Sequence, residues 1–169
     1  MDARNAAGDD AEFDDVVAWA AQAPLPAEVG RKARLLLLDS LGCILSGLRH
    51  AEVAASAAAL ARWFPGELRL PGCAHALGPA GLAATAAMAM CWDEANEGLA
   101  RAHGRPALSV VPVLLAAAPG QELGRLLHAL ALGYEVGARA GELWRIRPGM
   151  HVDGSWHALG AAAAAAWIG

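Results

Sequence analysis

Residues 70–92 read LPGCAHALGPAGLAATAAMAMCW and contain no Asp, Glu, Lys or Arg. A stretch of that length is long enough to cross a bilayer, so its reading separates a membrane protein from a packed helical one. Pro71, Gly72, Gly78, Pro79 and Gly81 interrupt it, and His75 adds a polar group. Its second half is mostly alanine, which is too weakly apolar to drive insertion as leucine would. Alanine suits a helix whose backbone lies close against its neighbours. The stretch therefore predicts a buried helix that opens at Gly78-Pro79 and runs to about Trp92, with no membrane span.

The same logic extends along the chain. Pro26 suits a first helical turn, and Val29, Ala33, Leu36, Leu37, Ser40, Leu41, Ile44 and Leu45 follow at spacings of three and four, predicting a helix that stops near Gly47. A second fits Ala51 to Trp63 and is ended by Phe64-Pro65-Gly66. Glu67 to Leu70 alternates between Pro-Gly pairs and predicts a short extended segment. Helices are expected over Ala107–Ala118 and Gly120–Trp144, the latter with Leu123, Leu126, Leu127, Leu130, Ala131, Tyr134 and Ala138 on one face. Polar loops are expected over Asn96–Pro106 and Arg145–Gly154, and a last helix over Ser155–Gly169. The fold class is all-α, an alanine-rich helical bundle.

Composition agrees. The 169 residues are 56% hydrophobic and 18% charged, which excludes a disordered chain. Net charge is −4, and Asp2, Asp9, Asp10, Glu12, Asp14 and Asp15 crowd the start against Arg4 alone. Residues 1–12 are expected to be an acidic flexible leader with a short helix over Phe13–Ala21, and residues 13–169 to be one helical domain. The remaining charge is nearly balanced, leaving no basic face for nucleic acid. Cys43, Cys73 and Cys91 form no CxxC, and the acidic start lacks the regions of a signal peptide, so a reducing cytoplasm is expected. Lys32 is the sole lysine and lies between Arg31 and Arg34, where it reads as a solvated helix residue.

Two polar clusters interrupt the apolar chain. The first is CWDEANE at 91–97 with His103 and Arg105 downstream, and the second is MHVDGSWH at 150–157. Histidine as a residue type ordinarily changes charge near neutrality, which makes His103 and His151 candidates to exchange a proton with a substrate carbon or a leaving hydroxyl. Asp93 and Glu94 follow a buried helix, where a carboxyl facing a pocket acts as acid or base. Arg105 can grip a carboxylate at two points. No spacing of His, Cys and carboxylates fits a metal site, and no glycine pattern fits a nucleotide fold, so no metal or cofactor is expected.

Taken in order, the motifs resemble the MmgE/PrpD family, whose members include 2-methylcitrate dehydratase, cis-aconitate decarboxylase and iminodisuccinate epimerase. ARLLLLDSLGC at 33–43 is similar to that family's R-x-x-L-L-D-T-L-G-C, and AMAMCWDEAN at 87–96 lies where the family has A-H-A-L-D-F-D-D-T-H. HGRPALSVVP at 103–112 resembles its H-P-S segment and following helix. LGYEVGAR at 132–139 resembles A-G-Y-E-V-A-x-R, and GMHVDGSWHALGAA at 149–162 resembles G-F-H-P-T-G-T-W-G-A-L-G-A-A. The departures sit in the polar clusters. Cys91 stands where the family has its first motif Asp, Ala95 where it has Thr, Gly104-Arg105 where it has Pro-Ser, and Val152-Asp153 where it has Pro-Thr; just before the first cluster, Met88 stands where the family has its first motif His.

The resemblance implies the amino-terminal helical portion of a lyase, without the α+β lid domain that carries catalytic lysines in full-length members. It implies a small polycarboxylate substrate, proton transfer at carbon next to a carboxylate, and no metal or organic cofactor. The partner it implies is a second copy of the chain, as a homodimer, or a separate lid-domain chain. The implied catalytic residues are His103, His151 and Asp93, with Asp93 orienting one of the histidines; substrate contacts fall to Glu94, Asn96, Arg105 and Cys91. The other reading is a catalytically inactive relative that serves as a helical interaction module or has no role.

Overall fold

The computed structural model describes residues 22–144, 149 and 156–169. The acidic leader and the helix expected over 13–21 lie outside the described residues, as do His151 and nearly all of the loop that carries it. The described helices, in order, are α1 Ala27–Gly47, α2 Ala51–Trp63, α3 Pro79–Trp92, α4 Pro106–Ala117, α5 Leu123–Leu143 and α6 His157–Ile168, with a 3-10 turn at Ala100–Ala102 before α4. The fold is all-α. Extended pairing among the described residues is confined to two isolated antiparallel bridges, Leu68 with Leu77 and Leu99 with Gly104. The first bridge is the short extended segment that the alternation at 67–70 predicts.

Local chemistry sets the helix starts. Pro79 and Pro106 occupy the first positions of α3 and α4, where the missing N–H costs no hydrogen bond. Glu28 in the first turn of α1 suits the positive end of the helix dipole and pairs with Lys32 one turn on. Gly120 turns the chain at φ +81°, so α5 begins at Leu123 rather than at Gly120.

α3 packs on α1, α2 and α4, while α6 packs on α4 and α5. Val53, Leu77, Met90, Val110, Val111, Leu130 and Ile168 are fully enclosed between them. Truncating a buried leucine or methionine to alanine in such a core costs about 2–5 kcal/mol. Backbones meet directly where the sequence is smallest: a Cβ on Gly47 would lie 2.0 Å from the Ala89 carbonyl oxygen, and one on Gly160 would lie 2.1 Å from that of Gly133. These contacts confirm the reading of alanine and glycine as close-packing residues.

Of the spaced positions on α1, Ala33, Ser40 and Ile44 are buried and Leu36, Leu37 and Leu41 half-buried, whereas Val29 and Leu45 are exposed; Gly30 and Gly47 are buried beside them. At Gly47, where that face meets α3 backbone to backbone, the contact selects a small residue. None of the described helices is long and apolar enough to cross a membrane.

Candidate functional site

The end of α3, the loop over residues 93–105 and the start of α4 build the site. Its position is fixed from below by α5: the 3-10 turn lies on Gly141, where a Cβ would be 2.3 Å from the Ala102 carbonyl oxygen. Arg101 adds an ion pair to Glu142 at 2.8 Å. Ala102 is buried, and the next residue, His103, is exposed with φ +51°. Glu94 has φ +53°, and these two are the non-glycine residues in left-handed backbone among those described. Such a conformation costs on the order of 1 kcal/mol or more for a residue with a Cβ, and it persists only where its surroundings impose it.

The turn at Glu94 sends two adjacent acids in different directions. Asp93 ends α3, where a carboxylate faces the unfavourable end of the helix dipole. Two groups at the end of α1 offset this: the Ser46 hydroxyl donates to Asp93 Oδ2 at 2.6 Å, and His50 Nε2 lies 2.8 Å from Oδ1. The Ser46 hydrogen bond holds the Asp93 carboxyl below its ordinary value; partial desolvation opposes this, and the hydrogen bond and charge of His50 add to it. The His50 ring lies 5.8 Å from that of Trp92, centre to centre. Both Asp93 oxygens thus have partners on α1 or just beyond it, neither of them a histidine that the sequence singled out. Among the described residues Asp93 therefore links two helix ends and does not meet His103, while His151, the other histidine it was expected to orient, lies outside the described residues.

Glu94 and Asn96 turn the other way, toward Arg105 at the N-cap position of α4. Arg105 Nη2 donates to Glu94 Oε2 at 2.6 Å, and Nη1 donates to Asn96 Oδ1 at 3.2 Å. Asn96 is buried, and its Nδ2 has no hydrogen-bond partner. Glu97 Oε1 accepts the Ala107 N–H at 2.6 Å, satisfying one of the unpaired donors in the first turn of α4. Behind it, burial first and the Glu97 charge second push the Tyr134 phenol up to about 12, against a smaller opposing effect of Arg101.

Cys91 faces elsewhere. Its thiol lies 3.5 Å from the Met88 carbonyl, and it lines a groove of about 330 Å³ between α3 and α4 with Met88, Leu108 and Pro112. The structure therefore brings Glu94, Asn96 and Arg105 into one cluster, sets His103 two residues from Arg105, and separates Cys91 and Asp93 from them in partner and direction. His151 lies outside the described residues. No group of His, Cys, Asp and Glu that could hold a metal ion occurs among the described residues.

Ser46 and His50 carry no signal in the sequence, while Glu97 and His157 fall in its two polar clusters without an assigned role. The first two meet Asp93 across more than forty residues, a distance that no local pattern bridges. His157 had a readable signal. Its buried ring lies against Gly104, where a Cβ would be 2.1 Å from His157 Cε1. In the motifs this chain resembles, position 104 is Pro and position 157 is Gly; here the small and the large residue have changed places.

The all-α fold agrees with what comparison finds. The family model described as the MmgE/PrpD N-terminal domain matches residues 11–169. A search of curated proteins finds no match.

Proposed function

The chain belongs to the MmgE/PrpD family by its N-terminal domain, and from that premise we propose that it forms the helical half of a lyase site, of the 2-methylcitrate dehydratase type, acting on a small polycarboxylate. The observation that carries this reading is the pair of left-handed residues, Glu94 and His103, on a loop that also presents Arg105. Strain concentrated where an exposed imidazole stands two residues from a fixed guanidinium is a mark of a working site.

In this reading Arg105 and Asn96 hold a carboxylate, and His103 exchanges a proton at the neighbouring carbon or at the leaving hydroxyl. An imidazole such as that of His103 can both donate and accept a proton. His151 is the second proton-transfer candidate by resemblance. Asp93 acts at a distance, by fixing the end of α3 from which the loop departs. Departure of the hydroxyl and the proton from adjacent carbons leaves a conjugated unsaturated acid and water.

The complete reaction calls for a lid domain, on the same or a separate chain, and for a partner copy. The exposed leucines of α1 favour self-association. Cys43, Cys73 and Cys91 form no disulfide with one another, which suits a cytoplasmic setting.

The test is water loss from 2-methylcitrate, followed by absorbance of the unsaturated product, with the purified chain alone and with a lid-domain chain. The reading expects activity in at least one arrangement and its loss in His103→Ala. Activity unchanged by His103→Ala and by His151→Ala would overturn it.

A further inference from the structure

Resting on that reading, we propose that Arg105 and Asn96 form a carboxylate-binding site whose resident occupant is the chain's own Glu94, which an incoming ligand carboxylate displaces. The two halves of the Arg105–Glu94 pair differ in how the fold holds them. The Arg105 side chain is 21% exposed and fixed at the start of α4, whereas that of Glu94 is 69% exposed. The cation is therefore the built part and the carboxylate the exchangeable one. Glu94 reaches it from left-handed backbone, at φ +53°.

Asn96 supplies an independent observation. Its Oδ1 accepts from Arg105 Nη1, which aligns the amide with the guanidinium, while its Nδ2 is buried and has no hydrogen-bond partner. A buried amide donor without an acceptor is a cost that a suitable ligand oxygen removes. Glu94 meets the guanidinium at Nη2. A ligand bearing two or three carboxylates can engage that nitrogen and the Asn96 donor together, whereas an ion pair with so exposed a carboxylate is weak enough to exchange.

This assignment changes the role of Glu94. A carboxylate beside a polyanion repels it, so Glu94 is a competitor for Arg105 and not a substrate contact. The chemical class recognised is a di- or tricarboxylate, and Glu94 sets a threshold on its affinity.

The experiment is calorimetric titration of citrate, at low ionic strength, into the native chain and into Glu94→Gln, Arg105→Gln and Glu135→Gln. Glu135 pairs with Arg139 on the exposed side of α5, so its replacement removes an equal charge from a different arginine. Thermal melts establish that each variant is folded. Glu94→Gln is expected to bind citrate about fivefold tighter, Arg105→Gln to lose binding, and Glu135→Gln to match the native chain. Equal affinity in Glu94→Gln and the native chain overturns the inference, as does equal tightening in Glu94→Gln and Glu135→Gln. Either result leaves the proposed lyase reading standing, because that reading is judged by turnover in His103→Ala. Absence of citrate binding in both the native chain and Glu94→Gln overturns the inference as well.

Discussion

The loop over residues 93–105 is held at its two ends by different physics. At the Asp93 end, two hydrogen bonds on a half-exposed surface join α3 to α1, and their strength depends on a carboxylate charge. At the Gly104 end, the buried ring of His157 fills the space that a side chain would need, and the Leu99 N–H donates to the Gly104 carbonyl at 2.9 Å. The difference teaches how the site divides its labour. A packed end fixes where His103 and Arg105 stand, while a hydrogen-bonded end fixes where α3 delivers the chain and responds to pH.

The hardest way to break this contrast is to crowd the packed end. Gly104→Ala puts a methyl group 2.1 Å from His157 Cε1 and is expected to destabilise the chain by about 1–3 kcal/mol, read as a lower thermal midpoint. His157→Ala in the same chain is expected to restore much of that loss, because the two positions share one space and their effects are not additive. If the double variant is no more stable than Gly104→Ala, the ring is not what limits position 104.

The hydrogen-bonded end should give a smaller, pH-dependent effect. The folded-state value of Asp93 is lowered, so its ionised form contributes stability above the unfolded carboxyl value of 3.8, and that contribution is lost as pH falls through the folded value. Asp93→Asn is therefore expected to melt below the native chain at neutral pH and to converge with it in acid below 3.8. A constant gap across that range would mean that the partners of Asp93 act by shape and not by charge.

The smallest effect sharpens the picture of what lies beneath the loop. Tyr134 is the sole tyrosine, so its ionisation can be followed by ultraviolet absorbance without overlap from others. Its midpoint is expected near 12, and Glu97→Gln should move it down because one of the two causes of its rise is gone. A native midpoint at the ordinary phenol value would place Tyr134 in water.

Much of this architecture is legible in the sequence, and the parts that are not share a cause. Helix positions follow from the three-and-four spacing of apolar residues and from Pro26, Pro79 and Pro106. The charge-free run at 70–92 resolves, as its alanines suggest, into a turn-rich entry and a buried α3. The inward face of α1 is legible in part: the spacing picks out Ala33, Ser40 and Ile44, but it also takes in Val29 and Leu45, which are exposed, and it leaves out the backbone contact of Gly47 on Ala89. The clustering of Glu94, Asn96 and Arg105 is within reach of sequence reasoning, since all three lie on one short loop. The Ser46–His50–Asp93 link is not, because it joins residues whose meeting depends on α1 and α3 ending side by side.

The central claim is that Arg105 is the fixed cation of a carboxylate site and that Glu94 occupies it until a ligand arrives. A crystal structure of the chain grown with citrate tests this most directly. The account predicts a citrate carboxylate oxygen hydrogen-bonded to Arg105 Nη2, a second oxygen accepting from Asn96 Nδ2, and the Glu94 side chain turned away from the guanidinium. Citrate bound elsewhere with the Glu94–Arg105 pair intact would contradict it.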